Sequence, residues 1–512
     1  MDDCSRSDLY RRDIDPRQMR VALLVGEAEP PAWIVDCCRR ALGLPFVDCV
    51  AVIDASGGRP VSIGLDDARS ARLVDAGDRD IVGSLKLDVV IDLTPESGPC
   101  AVAAASRRGL LRLERNWAAT GPRDIFSRFQ EVRVDVLLHR PKGGDAIDPD
   151  GELVYRNHDA VQLSIHAARR FEQLDRASVL CLARALRLLR RGDLPLAASS
   201  RSGDPRFDGE PSGLWQSLRH VGVCVLGNVE ARRNRLAWQL AWRRAAADDL
   251  PGLPGNGIRD NPFRLVELPD EGEAADPFIV SHEGQPLVFF ERVPPGSGRG
   301  ELACARLDAD GHLWEMREVL RRPYHLSYPH VFEVDGQWWM IPETGEASKV
   351  DLYRAEQFPD RWVHERTLLE GFVMLDSTLH HHDGRWYLFV TVDESGLERD
   401  QALFVFSSTR HIGPFEPHPL NPVRTDIRVT RGAGAIIEQA DGTLLRPAQD
   451  GSGGYGSRLA FQRITELSAD RYAEESVGVF RPEGIAGLCG CHTFNQAGGI
   501  QLVDVRRRLP RR

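Results

Sequence analysis

Hydrophobic and polar positions follow two different rhythms along this chain. In the first part, short and wholly apolar runs are separated by segments with helical spacing. Val21–Val25 (VALLV), Phe46–Ile53 (FVDCVAVI) and Leu87–Leu93 (LDVVIDL) read as strands buried on both faces. Pro30 and Pro31 precede AWIVDCCRRALGL, whose apolar positions recur at three and four residues, as in a helix. This strand–helix–strand alternation predicts a parallel sheet with right-handed crossovers. Val132–Leu138 predicts a further strand. Ala177–Arg191 predicts an amphipathic helix with arginines gathered toward its C-terminal end, where the helix dipole favours them.

Pro195–Gly213 and Pro251–Pro262 are rich in Ser, Gly, Asp and Pro, which predicts loops. Between them, Leu236–Arg243 (LAWQLAWR) reads as a strand, since its tryptophans would not share one helix face. Beyond it the rhythm changes. A tight turn followed by an aromatic or apolar strand recurs as HEGQPLVFFE from His282, VDGQWWMIPE from Val334, HDGRWYLFVT from His382, ADGTLLRPAQ from Ala440 and AGGIQLVDVR from Ala497. Asp-Gly between apolar runs is a strong hairpin signal. A spacing near 50 residues, with about four strands per copy, predicts a five-bladed β-propeller. The ring must close, so Phe263–Leu268 or LAWQLAWR is expected to complete the last blade. The expected layout is multidomain: residues 1–200 an α/β parallel-sheet domain, 201–260 a linker and propeller-closing segment, and 261–512 the all-β propeller.

Composition narrows the function classes. At 512 residues the chain is too long for one core, and 42 % hydrophobic with 27 % charged residues excludes wholesale disorder. A net charge of −10 argues against a nucleic-acid partner. No run approaches the roughly 20 apolar residues that span a bilayer, so no membrane span is expected. The polar N-terminus predicts a cytoplasmic chain with reduced cysteines. Cys37 and Cys38 are adjacent, and Cys489 and Cys491 are spaced C-x-C, but neither pair has a second half at zinc-site spacing. Neither a metal nor a cofactor is expected. The oligomeric state is left open.

In a propeller the innermost strands line a central channel. One strand before each turn stand Asp276 (ADPFIV), His330 (SYPHVF), Asp376 (LDSTL), Arg431 (TRGAGA) and His492 (CGCHTFN). Five ionisable residues at equivalent places predict a site in that channel. Asp276, Asp376 and Glu343 are the candidate catalytic carboxyls. His330, Arg431, His492, Trp338 and Tyr328 are the candidate substrate-binding residues, and Trp338, Trp339, Trp386 and Tyr387 could offer flat faces to a sugar, half of them being core by strand alternation. Arg431 and the two histidines are expected to hold Asp276 ionised. The bland alternatives are that Asp276 caps a turn, His330 is a core histidine, Glu343 pairs with Lys349 at the surface, and His380–His382 form a solvated run.

The segments ADPFIV, YPHVFEVDGQWWM, DSTLHHHDGRWYLF and GPFEPHPLNPV (Gly413–Val423) resemble the five-bladed propellers of arabinanase and β-xylosidase-type glycoside hydrolases. That resemblance implies an Asp general base in blade one, an orienting Asp in blade two and a Glu general acid in blade three. Asp276 matches the first; His330 and Asp376 stand at the second and third. Met340–Trp362 (MIPETGEASKVDLYRAEQFPDRW) and Gly490–Asn495 (GCHTFN) are similar to the N-terminal propeller of plant glucosamine inositolphosphorylceramide transferases and their bacterial relatives, over roughly residues 260–505. This implies a bacterial chain whose pocket takes a glycan or glycolipid head group, with transferase chemistry in another, later domain that is not seen here.

The first 200 residues resemble a formyltransferase fold. Gly109–Pro122 (GLLRLERNWAATGP) keeps Asn116 but has neither the His nor the SLLP-like stretch such enzymes need, so this domain is expected to transfer no formyl group. GEAEPP after the first strand lacks G-x-G-x-x-G, which argues against a dinucleotide cradle. The reading is a carbohydrate-active protein that binds or processes a glycan. The alternatives are a formyl- or acyl-transferring enzyme acting on an amino sugar, and a non-catalytic glycan-binding scaffold.

Overall fold

The computed structural model describes residues 7–11, 17–26, 30–55, 71–94, 100–117, 129–143, 146–162, 167–191, 222, 225, 233–246, 248–253, 261–270, 272–394, 401–482 and 488–510. The chain forms two compact units, Asp13–Val223 and Met1–Arg12 with Cys224–Arg512. Among the described residues no helix is long and apolar enough to cross a membrane.

The first unit is built from β1 (Met19–Val25), α1 (Ala32–Leu42), β2 (Val47–Asp54), β3 (Arg72–Asp75), α2 (Arg79–Ser84), β4 (Val89–Asp92), α3 (Cys100–Ala104), β5 (Leu110–Trp117), β6 (Phe129–His139), a small ribbon of β7 (Pro141–Gly143) and β8 (Ala146–Ile147), β9 (Glu152–Gln162), α4 (Ala167–Ser178) and α5 (Cys181–Arg191). Its seven-stranded sheet has the order β3-β2-β1-β4-β5-β6-β9. The first five strands are parallel, as the apolar runs predict; β6 and β9 are antiparallel, so the sheet is mixed at that edge. Successive residues of β1 bury on opposite faces. Leu23 packs with α1, α4 and α5, whereas Leu24 packs with α2 and α3. The helix expected over 177–191 is instead two helices, meeting where the Ser178 hydroxyl bonds back to the Leu174 carbonyl at 2.8 Å. Asn116 lies on β5 opposite Arg133, and residues 118–122 fall outside the described residues, as does the loop expected over 195–213.

The second unit is the propeller. Blade one is Glu273–His282, Gln285–Val293, Glu301–Leu307 and Leu313–Leu320; blade two is Ser327–Val334, Gln337–Glu343, Lys349–Gln357 and Arg361–Glu370. Blade three is Val373–His382, Arg385–Asp393, Gln401–Ser408 and Glu416–Pro417. Blade four is Arg431–Gly432 with Ile437–Glu438, then Leu444–Asp450, Arg458–Leu467 and Tyr472–Phe480. Blade five takes Phe494–Ala497 and Ile500–Pro510 from the C-terminal end and completes itself with Asn234–Arg244 and Arg264–Leu265. Both candidate closing segments are therefore used. The longer one pairs antiparallel with the last strand over its whole length, Asn234 opposite Pro510 and Arg244 opposite Ile500.

Each of the first three blades carries a two-residue irregularity in its innermost strand, between Ala275 and Phe278, Ser327 and His330, and Leu375 and Thr378. The first bulged residue is Asp276, Tyr328 or Asp376, with φ of 50°, 46° and 48°. Left-handed backbone is costly for a residue with a Cβ. Here it turns the side chain out of the strand's alternation. Tyr328 uses that turn to bridge blades: its ring is fully buried, and its hydroxyl accepts from Gly434 N at 2.7 Å, donates to the Gly434 carbonyl at 3.1 Å and lies 2.8 Å from Thr378 Oγ1. Tyr328→Phe leaves the Gly434 amide unpartnered in the interior. Guanidinium denaturation should show a loss of about 1–3 kcal/mol, the usual cost of a stranded buried polar group.

Candidate functional site

The innermost strands bring two polar clusters to the inner ends of the blades. The first lies at the seam between blades five and one. Asp504 Oδ1 accepts from the amides of His492 (2.8 Å) and Thr493 (3.0 Å), and its Oδ2 accepts from the amide of Asp276 (3.0 Å) and from His492 Nδ1. Asp276 in turn accepts from Thr493 Oγ1 at 2.5 Å and from the Tyr328 amide at 3.2 Å, with His492 Nδ1 3.6 Å away. All three ionisable residues are buried.

Their titration is set by competition between burial and charge. Burial raises Asp276 to about 7; His492 pulls it down, while Asp504 pushes it up. For His492 burial acts downward, but the carboxylates of Asp504 and Asp276 win and hold it at about 9. Asp504, against its own burial, is held below the usual carboxylate range by His492 and the amides. The expectation that Arg431 and two histidines keep Asp276 ionised is therefore corrected: only His492 acts on it this way, and burial outweighs it. The donor atoms of Asp276, His492 and Asp504 lie within 4.8 Å of one another, a grouping with metal-ligand chemistry. Amides, the Thr493 hydroxyl and the imidazole already engage the oxygens of both carboxylates, so the three read as a hydrogen-bonded unit rather than a cation cage.

The second cluster spans blades two, three and four. Asp376 Oδ2 accepts from Arg431 Nε at 2.6 Å and Gln449 Nε2 at 2.9 Å, and the Asp376 amide reaches Glu343 Oε2 at 3.4 Å. Arg431 also lies 3.7 Å from Glu343. Burial, then the charge of Asp376, raise Glu343 well above the usual carboxyl range despite Arg431. Glu343 therefore holds a proton more readily than an ordinary carboxyl. It does not pair with Lys349, which bonds Asp351 at 2.6 Å.

Above these clusters stands an aromatic rim. Tyr455 places its ring 5.0 Å from the Arg431 guanidinium and 5.2 Å, edge-on, from His492; Trp238 stacks on His492 at 4.0 Å. A cavity of about 1100 Å³ beside blade five, lined by Arg235, Glu273 and Arg507 among others, shares Trp238 with this rim and none of the carboxyls.

The structure thus brings Asp276, Asp376, Glu343, Arg431 and His492 to the inner ends of the blades and sets three expected residues apart. His330 is not the blade-two equivalent of Asp276; that place belongs to Tyr328, two residues earlier, which opens the same bulge, and His330 is the counterpart of Phe278. The His330 ring packs against Phe278 and Phe332, its Nε2 meets the Leu379 carbonyl at 3.0 Å, and burial lowers it to about 4, so it is neutral. Tyr328 has no open face, as described above. Trp338 stacks on Phe358 at 4.3 Å in the apolar layer near Tyr353 and Trp362. Trp339, Trp386 and Tyr387 belong to the packed layers around blades two, three and four. Sequence reasoning missed Glu291, Thr391 and Gln449, which occupy the same place as Glu343 in their blades. Ala275 opposes Glu291, Ser327 opposes Glu343, Leu375 opposes Thr391 and Arg431 opposes Gln449. A readable signal existed: each stands seven residues after its turn glycine, Gly284, Gly336, Gly384 or Gly442. Asp504 and Trp238 were missed as well.

Residues 270–486 match the family described as glucosamine inositolphosphorylceramide transferase 1, N-terminal. Over 227 residues the chain is 32 % identical to the glucosamine inositolphosphorylceramide transferase 1 of Oryza sativa subsp. japonica, covering 43 % of this chain and 30 % of that protein. The Arabidopsis thaliana protein of the same name is 32 % identical over 209 residues, 40 % of this chain and 27 % of that one. The chain thus spans less than a third of the length of these relatives. They are plant proteins, which corrects the bacterial kinship implied by the resemblance. Among solved structures, a family 117 glycoside hydrolase of Zobellia galactanivorans is 14 % identical with a TM-score of 0.34, covering 53 % of this chain and 91 % of that one. The α-L-arabinanase of Cellvibrio cellulosa is 14 % identical with a TM-score of 0.31, covering 40 % and 78 %.

His492 titrates higher folded than in a free chain, where it lies near 6.5. Its contribution is whole below that pH and is lost as pH rises through about 9. Denaturation midpoints followed from pH 6 to 10 should therefore fall more steeply for the wild type than for His492→Gln.

Proposed function

We propose that the propeller receives a sugar-bearing glycolipid head group, of the glucosaminyl-inositol-phosphate class, and acts on its glycosidic bond by acid–base chemistry. The observation that carries this reading is a pair of buried carboxyls with raised and different affinities for protons: Asp276 near 7 and Glu343 well above the usual range. Carboxyls in separate environments are what divided acid and base roles require. Glu343 would donate its proton to the glycosidic oxygen as the C–O bond breaks. Asp276 would take the proton of the incoming water or acceptor hydroxyl as the new C–O bond forms. Asp376 supports the acid: its charge favours the protonated form of Glu343, while Arg431 and Gln449 fix its position. The sequence match to named head-group transferases supports the ligand class.

One observation favours a second reading, a binder without turnover. Both oxygens of Asp276 already accept hydrogen bonds, from Thr493 and Tyr328. The two readings separate in one experiment on the full chain with soluble glucosaminyl-inositol phosphate, following both binding and release or transfer of the sugar. Under the catalytic reading, Asp276→Asn and Glu343→Gln each lower turnover by about two to four orders of magnitude while binding survives. The rate should also rise as pH passes through about 7 and Asp276 ionises. Binding with no sugar released or transferred at any pH leaves the binder; no binding at all removes both readings.

A further inference from the structure

The aromatic faces expected for sugar contact lie in packed layers, and the candidate site has a different one. Tyr455 sits in a glycine-rich loop, Gly451–Gly456, and is 52 % exposed. Isolated exposed aromatics are common on protein surfaces. Two facts distinguish this one. The first is the rigidity of its support. Asp450 Oδ1 accepts from the Ser452 amide and hydroxyl at 3.0 and 2.6 Å, Ser457 Oγ donates to the Asp450 carbonyl at 2.7 Å, and Arg506 donates to the Tyr455 carbonyl at 2.8 Å. Gly456, at φ 63°, is wedged so tightly that a Cβ there would stand 2.5 Å from Trp238. The second is its placement: the ring lies over Arg431, which holds Asp376, and edge-on to His492. A fixed loop thus presents one open aromatic surface above the two ionic clusters.

We infer that Tyr455 is the stacking platform of the candidate site, taking the C–H face of a hexopyranose and directing its linkage oxygen toward Glu343. Aromatic rings fit this role because their electron-rich faces accept polarised C–H groups, and a side chain with two rotatable angles loses little entropy when it orders. The ring is the active part, so the hydroxyl is dispensable. Arg431, beneath the ring, holds it in place by cation–π attraction, which links the platform to the acid centre. Tyr455 is a positioning residue; it takes no part in the proton transfers.

This inference rests on the proposed head-group site, and its test distinguishes the two. Wild type, Tyr455→Phe and Tyr455→Ala are titrated with soluble glucosaminyl-inositol phosphate by calorimetry, and saturation transfer from aromatic protons to the sugar is recorded by NMR. Tyr455→Phe should bind within about twofold of the wild type, while Tyr455→Ala should bind about tenfold more weakly, the effect of losing one aromatic contact. Transfer to the sugar C–H protons should fall in Tyr455→Ala with its melting temperature unchanged, because the side chain supports no core. Any turnover should show the change in KM more than in kcat. Wild-type binding that Tyr455→Ala leaves within twofold overturns the platform and spares the head-group site. Absence of wild-type binding overturns both.

Discussion

A propeller is stable only as a closed ring, and here the closure converges on one buried carboxylate. Asp504 receives amides from its own blade and one from blade one, and it pairs with His492. A carboxylate taken out of water is costly unless its lone pairs are met by donors. Three amides and an imidazolium meet them, so the seam holds only while blades five and one keep this spacing. Asn495 adds a second tie across the same seam, from its amide to the Pro277 carbonyl at 2.8 Å. The proton affinities of Asp276 and His492 follow from this arrangement, since Asp504 raises both. Structural closure and candidate chemistry use the same atoms. Replacing Asp504 would therefore disturb fold and site together, whereas Glu343, on the other cluster, separates them.

The second cluster shows how burial is turned toward chemistry. Arg431, Asp376 and Glu343 form a group with one more acid than base, in an interior that disfavours uncompensated charge. The shorter, better aligned contact goes to Asp376, which also has Gln449; Glu343, at 3.7 Å from Arg431, is left with a raised proton affinity. The left-handed backbone at Asp276 and Asp376 is part of the same arrangement. It spends conformational energy to aim two short acids that regular strand alternation would have sent into the inter-blade layers. At Tyr328 the same strained geometry ties blades together through the hydroxyl and turns the amide to Asp276, so the bulge belongs to the fold and the choice of side chain decides its use.

The repeat of turn and strand made the propeller legible, and the apolar runs did the same for the α/β sheet, because both depend on local periodicity. The bulges were not legible. They break the two-residue period without changing composition. His330 is a different matter: Tyr328, like Asp276 and Asp376, stands eight residues before its turn glycine, but the titratable imidazole two residues on carried the more obvious chemistry. Asp504 is equally silent: in LVDVR it reads as one polar residue on a strand, and it gains meaning only from His492 and Thr493 just before the preceding strand and from Asp276, 228 residues away in chain order. The aromatics misled for a related reason. Trp338 and Trp386 lie just after their turns, at the opposite end of the second strand from Glu343 and Thr391, so their neighbours are the side chains of the packed layers. Tyr455, by contrast, sits in a glycine-rich loop that offers no periodicity to read.

Chain order adds a constraint on assembly. The described residues just before the α/β unit belong to the propeller unit: Leu9 is buried in the apolar layer of blades two and three, Asn421 donates to its carbonyl at 3.2 Å, and the Tyr10 hydroxyl donates to Glu394 at 2.6 Å. The α/β unit is therefore an insertion, in chain order, within the propeller's sequence. Blade five needs strands that begin at Asn234 and end at Pro510, and the layer over Asn421 needs Leu9. Contacts of such sequence separation form late, since the loop entropy must be met before they stabilise anything. Blades one to four are each built from local hairpins, whereas the seam that carries Asp276, His492 and Asp504 joins segments far apart in chain order. The candidate site is thus completed only when the ring is: the shifts of Asp276 and His492 depend on Asp504 and on each other across the seam, and a chain with an open seam has neither.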